Sequence, residues 1–264
     1  MTDDDNGFAL PEMNLFEAIL NRRTCKSYSQ RPIEFEKVVQ VVQAAMHAPS
    51  AGNRQNWQFT IITDRSKLQD LYHCCMEQDV LLSAPMGILV TFNTDMSKKF
   101  YGLRGSKLYS IQDCACAIQN MSLAAESFGL RTTWIGAFDE EKIASMFGVP
   151  GNVRAQAIIL LGYPEDEPEE KRLKSVEEVL FFNKFGARVE KPHIVVRDFS
   201  REWEMQLKNL RSKTDEKKTS FKESFQEQTQ EATVKSKEFF SQAQERLNQA
   251  LDNLKDEDKQ KRKR

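Results

Sequence analysis

The sequence predicts an α+β fold, a sheet covered by helices on both faces, with a charged extension after it. Three observations carry this expectation. Short apolar runs of strand length alternate with segments whose apolar residues recur every three or four positions. The strand-like runs are apolar throughout rather than alternating, as in strands buried on both faces. The composition then changes near residue 200: residues 201–264 contain no Gly, Pro or Cys and are dense in Lys, Glu, Gln and Asp. The expected organisation is an acidic lead over 1–13, a folded domain over 14–199, and a charged amphipathic tail, helical or disordered, over 200–264.

The elements follow in order. Leu15, Phe16, Ile19 and Leu20 mark a first helix that stops at Arg22-Arg23. After Pro32, the residues Val38, Val39, Val41, Val42, Ala45 and Met46 mark a second helix, ending before Pro49. Phe59 to Thr63 reads as a short buried strand and Ser66 to Cys75 as a helix with Ser66 as its N-cap. Gly87 to Phe92 is a continuous apolar run typical of a central strand. Ser110 to Gly129 is the longest helix, with Ile111, Ala115, Ile118, Met121, Leu123, Ala125 and Phe128 inward and Gly129 closing it. Thr132 to Ile135 is a third strand, Glu140 to Phe147 a short helix, and Ala155 to Leu161 a fourth strand ending at Gly162-Tyr163-Pro164.

Composition excludes several classes. A net charge of -1 does not suit a bulk polyanion binder, so no nucleic acid partner is expected. No apolar run approaches the roughly 18 residues of a membrane span. Met1 to Asn6 is acidic and lacks the regions of a signal peptide, so a cytoplasmic location is expected. Five cysteines, an odd number, fit a reducing compartment. With three histidines and no CxxC pair, no metal centre is expected, and the thiols read as buried structural groups.

Two short stretches carry the chemistry. Arg22-Arg23-Thr24-Cys25-Lys26 packs three cations and a hydroxyl into five residues. Cations also suit a helix C-terminus through the dipole, but a guanidinium fork beside a hydroxyl is what a phosphate takes. Pro49-Ser50-Ala51-Gly52-Asn53-Arg54-Gln55-Asn56-Trp57 places amides at a helix-to-strand corner, where the edge of a planar heterocycle finds donors and acceptors. Read plainly, the same stretch is a turn with Gly52 at positive φ. Together they suggest a bound mononucleotide, with FMN the best candidate. His47 reads as a helix-terminal residue rather than a base.

On these motifs the chain resembles the nitroreductase-like FMN flavoproteins. Their Arg-Arg-Ser-x-Arg cluster is matched from Arg22, and their Pro-Ser-x-x-Asn-x-Gln-Pro-Trp loop from Pro49. Ala84-Pro85-Met86, Ser110 to Asp113, Leu123 to Ala125, Gly129-Leu130, Trp134-Ile135-Gly136-Ala137, Leu161-Gly162-Tyr163-Pro164 and Lys171-Arg172-Leu173-Lys174 follow in the family's order, over roughly residues 14 to 182. The resemblance implies a three-layer α/β/α arrangement with a mixed, mainly antiparallel sheet of four to five strands. It also implies a homodimer with FMN at the interface, each site built from both chains. In such a site Arg22, Arg23 and Thr24, with Arg172 or Lys174, would hold the phosphate and ribityl chain. Lys26 would approach the flavin N1/O2 edge, Ile135 and Gly136 would adjoin N5, and Pro49, Ser50, Ala51, Asn53 and Gln55 would line the ring. The implied activity is ping-pong transfer of hydride from NAD(P)H through flavin N5 to a nitroaromatic, quinone or similar acceptor, with no catalytic side chain of its own.

The chain departs from that pattern in places. Thr24 stands for Ser, and Asn56 for Pro, a change expected to cost loop rigidity. The stretch from Phe92 to Tyr109 is short, and Phe100, Tyr101, Leu103, Arg104 and Tyr109 read equally as pocket lining or as helix packing. The segment 181–199 reads as an arm. In the tail, apolar residues from Phe221 to Leu254 recur at helical steps before the basic end Lys259 to Arg264. Such a helix could pair with a copy of itself, dock on the domain, or lie on an anionic membrane surface. The rival to an enzyme is therefore a flavin-fold scaffold recruited through this tail.

Overall fold

The structure, a computed structural model, describes residues 13–165, 169, 171–188, 202–203, 205–209 and 212. The chain divides after Arg197 into two units. In the second, residues 205–209 are helical, and the apolar steps from Phe221 onward lie outside the described residues.

The first unit runs α1 (Leu15–Asn21), α2 (Phe35–Met46), a 3-10 turn (Ala51–Asn53), β1 (Trp57–Ile62), α3 (Arg65–Cys74), α4 (Val80–Ser83) and β2 (Met86–Asn93). Then come α5 (Thr94–Arg104), a π turn (Gly105–Tyr109), α6 (Ser110–Ser127), β3 (Arg131–Ile135), α7 (Glu140–Phe147), β4 (Val153–Gly162) and α8 (Val176–Val179). The sheet has the order β1-β2-β4-β3 with every pairing antiparallel. Among the described residues the parallel component is one isolated bridge, Thr24 to Thr132.

Two cores flank the sheet, so the layers are three. On one side Ile88, Val90 and Phe92 of β2 and Ala157, Ile159 and Leu161 of β4 pack with Val38, Val41 and Ala45 of α2 and with α6. On the other, Leu89, Ile158 and Leu160 pack with Leu68 and Leu71 of α3, Leu81 of α4 and Ile143 of α7. A bulge opposite Val90/Thr91 inserts an extra residue into β4. It sends Ala155 to the second core while Ala157 stays in the first, against the simple two-residue alternation.

Several local expectations are corrected. The N-cap of α3 is Asp64, whose Oδ1 accepts from Ser66 N and Ser66 Oγ at 2.9 and 2.8 Å. A carboxylate beside the exposed amides of a helix start outcompetes the hydroxyl two residues later. The buried stripe of α6 is Ser110, Asp113, Cys114, Ala117, Ile118, Met121, Ser122, Ala125 and Glu126, whereas Ala115 and Leu123 lie at its margins. Two acids thus sit on a face that apolar periodicity alone assigns to hydrocarbon. The short stretch after Phe92 is a helix and a π turn continuous with α6. Its kink is at Gly102, whose φ of 60° and ψ of -151° only glycine adopts readily.

Candidate functional site

The cation segment is held along the edge strand β3. Cys25 N donates to Thr132 O at 3.4 Å, and Thr133 Oγ1 donates to Cys25 O at 2.6 Å. Just beyond, the buried Tyr28 hydroxyl donates toward Thr133 Oγ1 and Leu160 O at 3.0 and 3.3 Å. Burial holds that phenol protonated, far above its ordinary range. Extended pairing and a buried tyrosine therefore fix the path of the chain between Thr24 and Tyr28, leaving Thr24 and Lys26 exposed.

Beneath the segment lies Glu126, in the last turn of α6 and 4% exposed. Arg131 Nη1 is 3.2 Å from its Oε2, but the aligned hydrogen bond of that nitrogen goes to Asn21 O at 2.7 Å. Glu126 Oε2 itself has no hydrogen-bond partner among the described residues. Arg131 thus clips the end of α1, where the cation segment begins, to a buried carboxylate. Burial raises the Glu126 carboxyl, and the charges of Arg131, Arg22, Arg23 and Lys171 act against that rise. Lys171 Nζ donates to Ile19 O at 3.4 Å, and its ammonium is lowered by burial and then by Arg22 and Arg23. Four cations therefore surround one carboxylate, an excess of positive charge suited to a phosphoryl dianion.

The site residues expected from the sequence fall into groups. Arg22, Arg23 and Thr24 join the cation cluster. From the basic run the residue beside them is Lys171, while Arg172 and Lys174 are exposed further along. Lys26 Nζ pairs with Glu169 Oε1 at 2.6 Å on the surface. Ile135 closes β3 in the second core, and Gly136 follows it, exposed. In the corner, Asn53 and Gln55 take positive φ values of 55° and 49°, and Gln55 Nε2 donates to Asn53 Oδ1 at 3.0 Å. Ser50 Oγ accepts from Gln55 N at 3.0 Å, and Asp113 Oδ1 accepts from Ala51 N at 2.9 Å. Pro49 opens this corner and is exposed. The Asp113 carboxyl is raised by burial, partly offset by that amide.

Asn56 overturns the expectation of a loosened loop. It is 4% exposed, and its Oδ1 accepts from Asn93 N at 3.0 Å. Its Nδ2 donates to Ser110 Oγ at 2.9 Å and to Ser97 Oγ. Ser110 Oγ donates to Gly105 O at 3.0 Å, so the 2.6 Å contact between Ser97 and Ser110 carries the Ser97 proton. One amide ties the corner to β2, α5, the π turn and α6, giving by hydrogen bonds the stiffness proline gives by its ring.

Phe100, Tyr101, Arg104 and Tyr109 gather above that corner. The Tyr101 hydroxyl occupies the place a Cβ at Gly52 would take, and Gly52 has a φ of 54°. Tyr101 and Tyr109 meet edge to face with centroids 5.5 Å apart, and Arg104 Nε donates to Tyr109 Oη at 3.1 Å. Sequence reasoning passed over Glu126, Arg131, Lys171 and Asp113 as site residues. An acid in the last turn of a helix, where the dipole disfavours it, was the available signal for Glu126.

The corner and the cation segment are not neighbours within one chain. The corner leads into Trp57, level with Phe92 and Arg154, whereas the segment bridges Thr132, level with Leu161 and Met86. They sit at opposite edges and opposite ends of the sheet, about 25 Å apart from three strand spacings across and six residues of rise along. Asp113 and Glu126 at the two ends of α6 are about 20 Å apart at 1.5 Å per residue, a comparable span. No group of three or more His, Cys, Asp or Glu that could hold a metal occurs among the described residues, and no helix there is long and apolar enough to cross a membrane.

The sequence profile of the nitroreductase family matches residues 19–78 and 69–163. A protein from Archaeoglobus fulgidus described as a candidate NADH dehydrogenase/NAD(P)H nitroreductase is 33% identical over 155 residues, 57% of this chain and 86% of that one. The FMN reductase [NAD(P)H] of Bacillus subtilis is 25% identical over 174 residues, 60% of this chain and 68% of that one. Among solved structures, a nitroreductase family protein from Clostridium difficile superposes with a TM-score of 0.58 at 27% identity, covering 66% of this chain and all of its own (100%).

Proposed function

The chain belongs to the nitroreductase family of NAD(P)H-dependent oxidoreductases, and from that premise we propose that FMN is its cofactor and a nitroaromatic, quinone or similar conjugated molecule its electron acceptor. The observation that carries the reading is the cation cluster, where Lys171 joins Arg22 and Arg23 over the buried Glu126. When bound, FMN supplies the hydride exchange at N5, from NAD(P)H and then to the acceptor in ping-pong order. The protein's part is to bind, orient and shield. Arg22, Arg23, Thr24 and Lys171 receive the phosphoryl oxygens, with Arg172 or Lys174 closing from outside. Lys26 would exchange Glu169 for the anionic edge of the ring, and the end of β3 at Ile135-Gly136 would adjoin its reacting atom.

A homodimer belongs to the same proposal. Because the corner and the cation segment of one chain lie about 25 Å apart, a single mononucleotide meets both only when a second copy brings its corner across. Exposed Leu15, Phe16, Ile19, Phe35, Val39 and Met46 on α1 and α2 offer the apolar surface for such pairing.

The test is direct. Purified protein should be yellow, release FMN on denaturation, and bleach anaerobically with NADH or NADPH. A colourless chain that neither takes up added FMN nor gains turnover from it overturns the reading.

A further inference from the structure

We infer that an aromatic strip beside the amide corner binds a planar conjugated ligand carrying an anionic group, and that Arg54 and Arg104 select for that charge. This rests on the oxidoreductase reading above and names the class of molecule that its substrate side takes.

The strip is continuous. The Arg54 guanidinium lies 3.6 Å over the Phe100 ring, Phe100 adjoins Tyr101 with centroids 6.4 Å apart, and Tyr101 meets Tyr109 at 5.5 Å. At the far end the Arg104 guanidinium stands 5.6 Å from the Tyr109 centroid while its Nε bonds the Tyr109 hydroxyl. Three rings thus carry a guanidinium at each end. The strip is fixed from below, because Tyr101 abuts Gly52 and the helix α5 that bears it is tied to Asn56 through Ser97 and Ser110.

The charge around the strip is unbalanced. Elsewhere the guanidinium groups of Arg31, Arg131 and Arg154 face Glu34, Glu126 and Glu140. Among the described residues neither Arg54 nor Arg104 has a carboxylate partner. A guanidinium already ordered by stacking on a ring loses little further freedom when it binds a carboxylate, sulfonate or phosphate. The rings accept the ligand's plane, and the arginines supply charge-assisted hydrogen bonds to its anionic substituent.

Two kinds of ligand bring that chemistry: an acidic acceptor, or a nicotinamide coenzyme through a 2′-phosphate. The experiment uses the FMN-loaded protein. KM is measured for methyl 4-nitrobenzoate against 4-nitrobenzoate, and for 1,4-naphthoquinone against its 2-sulfonate, with NADH and with NADPH. Arg54→Gln and Arg104→Gln should each raise KM for the anionic acceptors about five- to tenfold over the neutral ones, as expected for losing one charge-assisted contact. Added salt should erode the same preference in the wild type. Arg54→Lys should keep part of it, and Lys99→Gln should leave it. A fall in the NADPH-over-NADH ratio instead, with acceptor ratios unchanged, assigns the anion to the coenzyme and equally supports the strip. Neither ratio moving, or Lys99→Gln acting as strongly as Arg54→Gln, overturns it. Calorimetric titration of the flavin-free chain with the naphthoquinone sulfonate separates the two ideas. Arginine-dependent binding without flavin turnover keeps the strip and removes the oxidoreductase reading, whereas normal turnover without charge selection does the reverse.

Discussion

The two halves of the candidate site are built on opposite physical terms. The amide corner is secured chiefly by the neutral hydrogen bonds of the Asn56 network, with the Asp113 carboxylate taking the Ala51 amide. The cation segment is also paired to β3 by neutral bonds, but where it leaves α1 it is set over a buried carboxylate beneath a surplus of cations. Neutral networks hold one geometry over a wide range of pH and salt. A partly satisfied charge cluster is costly alone and is relieved by an anion, so it suits the half proposed to capture a phosphoryl group. Helix α6 spans both, with Asp113 at one end and Glu126 at the other.

The contrast can be broken most severely at Asn56. Asn56→Ala leaves Asn93 N, Ser97 and Ser110 without their shared partner inside the fold and should cost about 3 kcal/mol of unfolding free energy. Urea denaturation should show that loss equally at low and high salt; a strongly salt-dependent loss contradicts a neutral network. Asp113→Ala should cost about 1–2 kcal/mol by orphaning the Ala51 amide. Its loosened corner should show as faster hydrogen exchange at residues 50–55, leaving 22–26 unchanged.

Glu126→Gln sharpens the other side of the comparison. Burial raises the folded-state pKa of this group above its unfolded value, so the folded state binds the proton first. The wild type should therefore gain stability relative to the glutamine variant as pH falls from neutral toward about 4.4, and lose that gain as pH rises. Parallel denaturation curves for the two proteins across that window would remove the charge argument.

The smallest effect should come from Glu34, whose carboxyl is lowered to about 2, first by the Tyr163 hydroxyl and then by its own backbone amide and Lys37. Here the sign is opposite. Its contribution is complete above about pH 4.4 and disappears as pH falls toward the folded value, so Glu34→Gln should flatten the acid limb only.

Much of this was legible in the chain. Apolar runs at 87–92 and 155–161 announced the central strands, because a strand buried on both faces has no polar side to display. The order of short motifs announced the family, and three cations within five residues marked the segment proposed to take the phosphoryl group. What stayed hidden was pairing at a distance. Asn56 looked like a lost proline until Ser97 and Ser110, 41 and 54 residues away, closed around it. Glu126 had no assigned part in the predicted helix, and only the fold brings Arg131 and Lys171 to it. Local spacing determines which elements form, since backbone periodicity is set within a few residues. Only the tertiary structure decides which polar groups share a buried space, and it alone places the corner and the cation segment at opposite corners of the sheet, because pairing between distant segments is not written in local spacing.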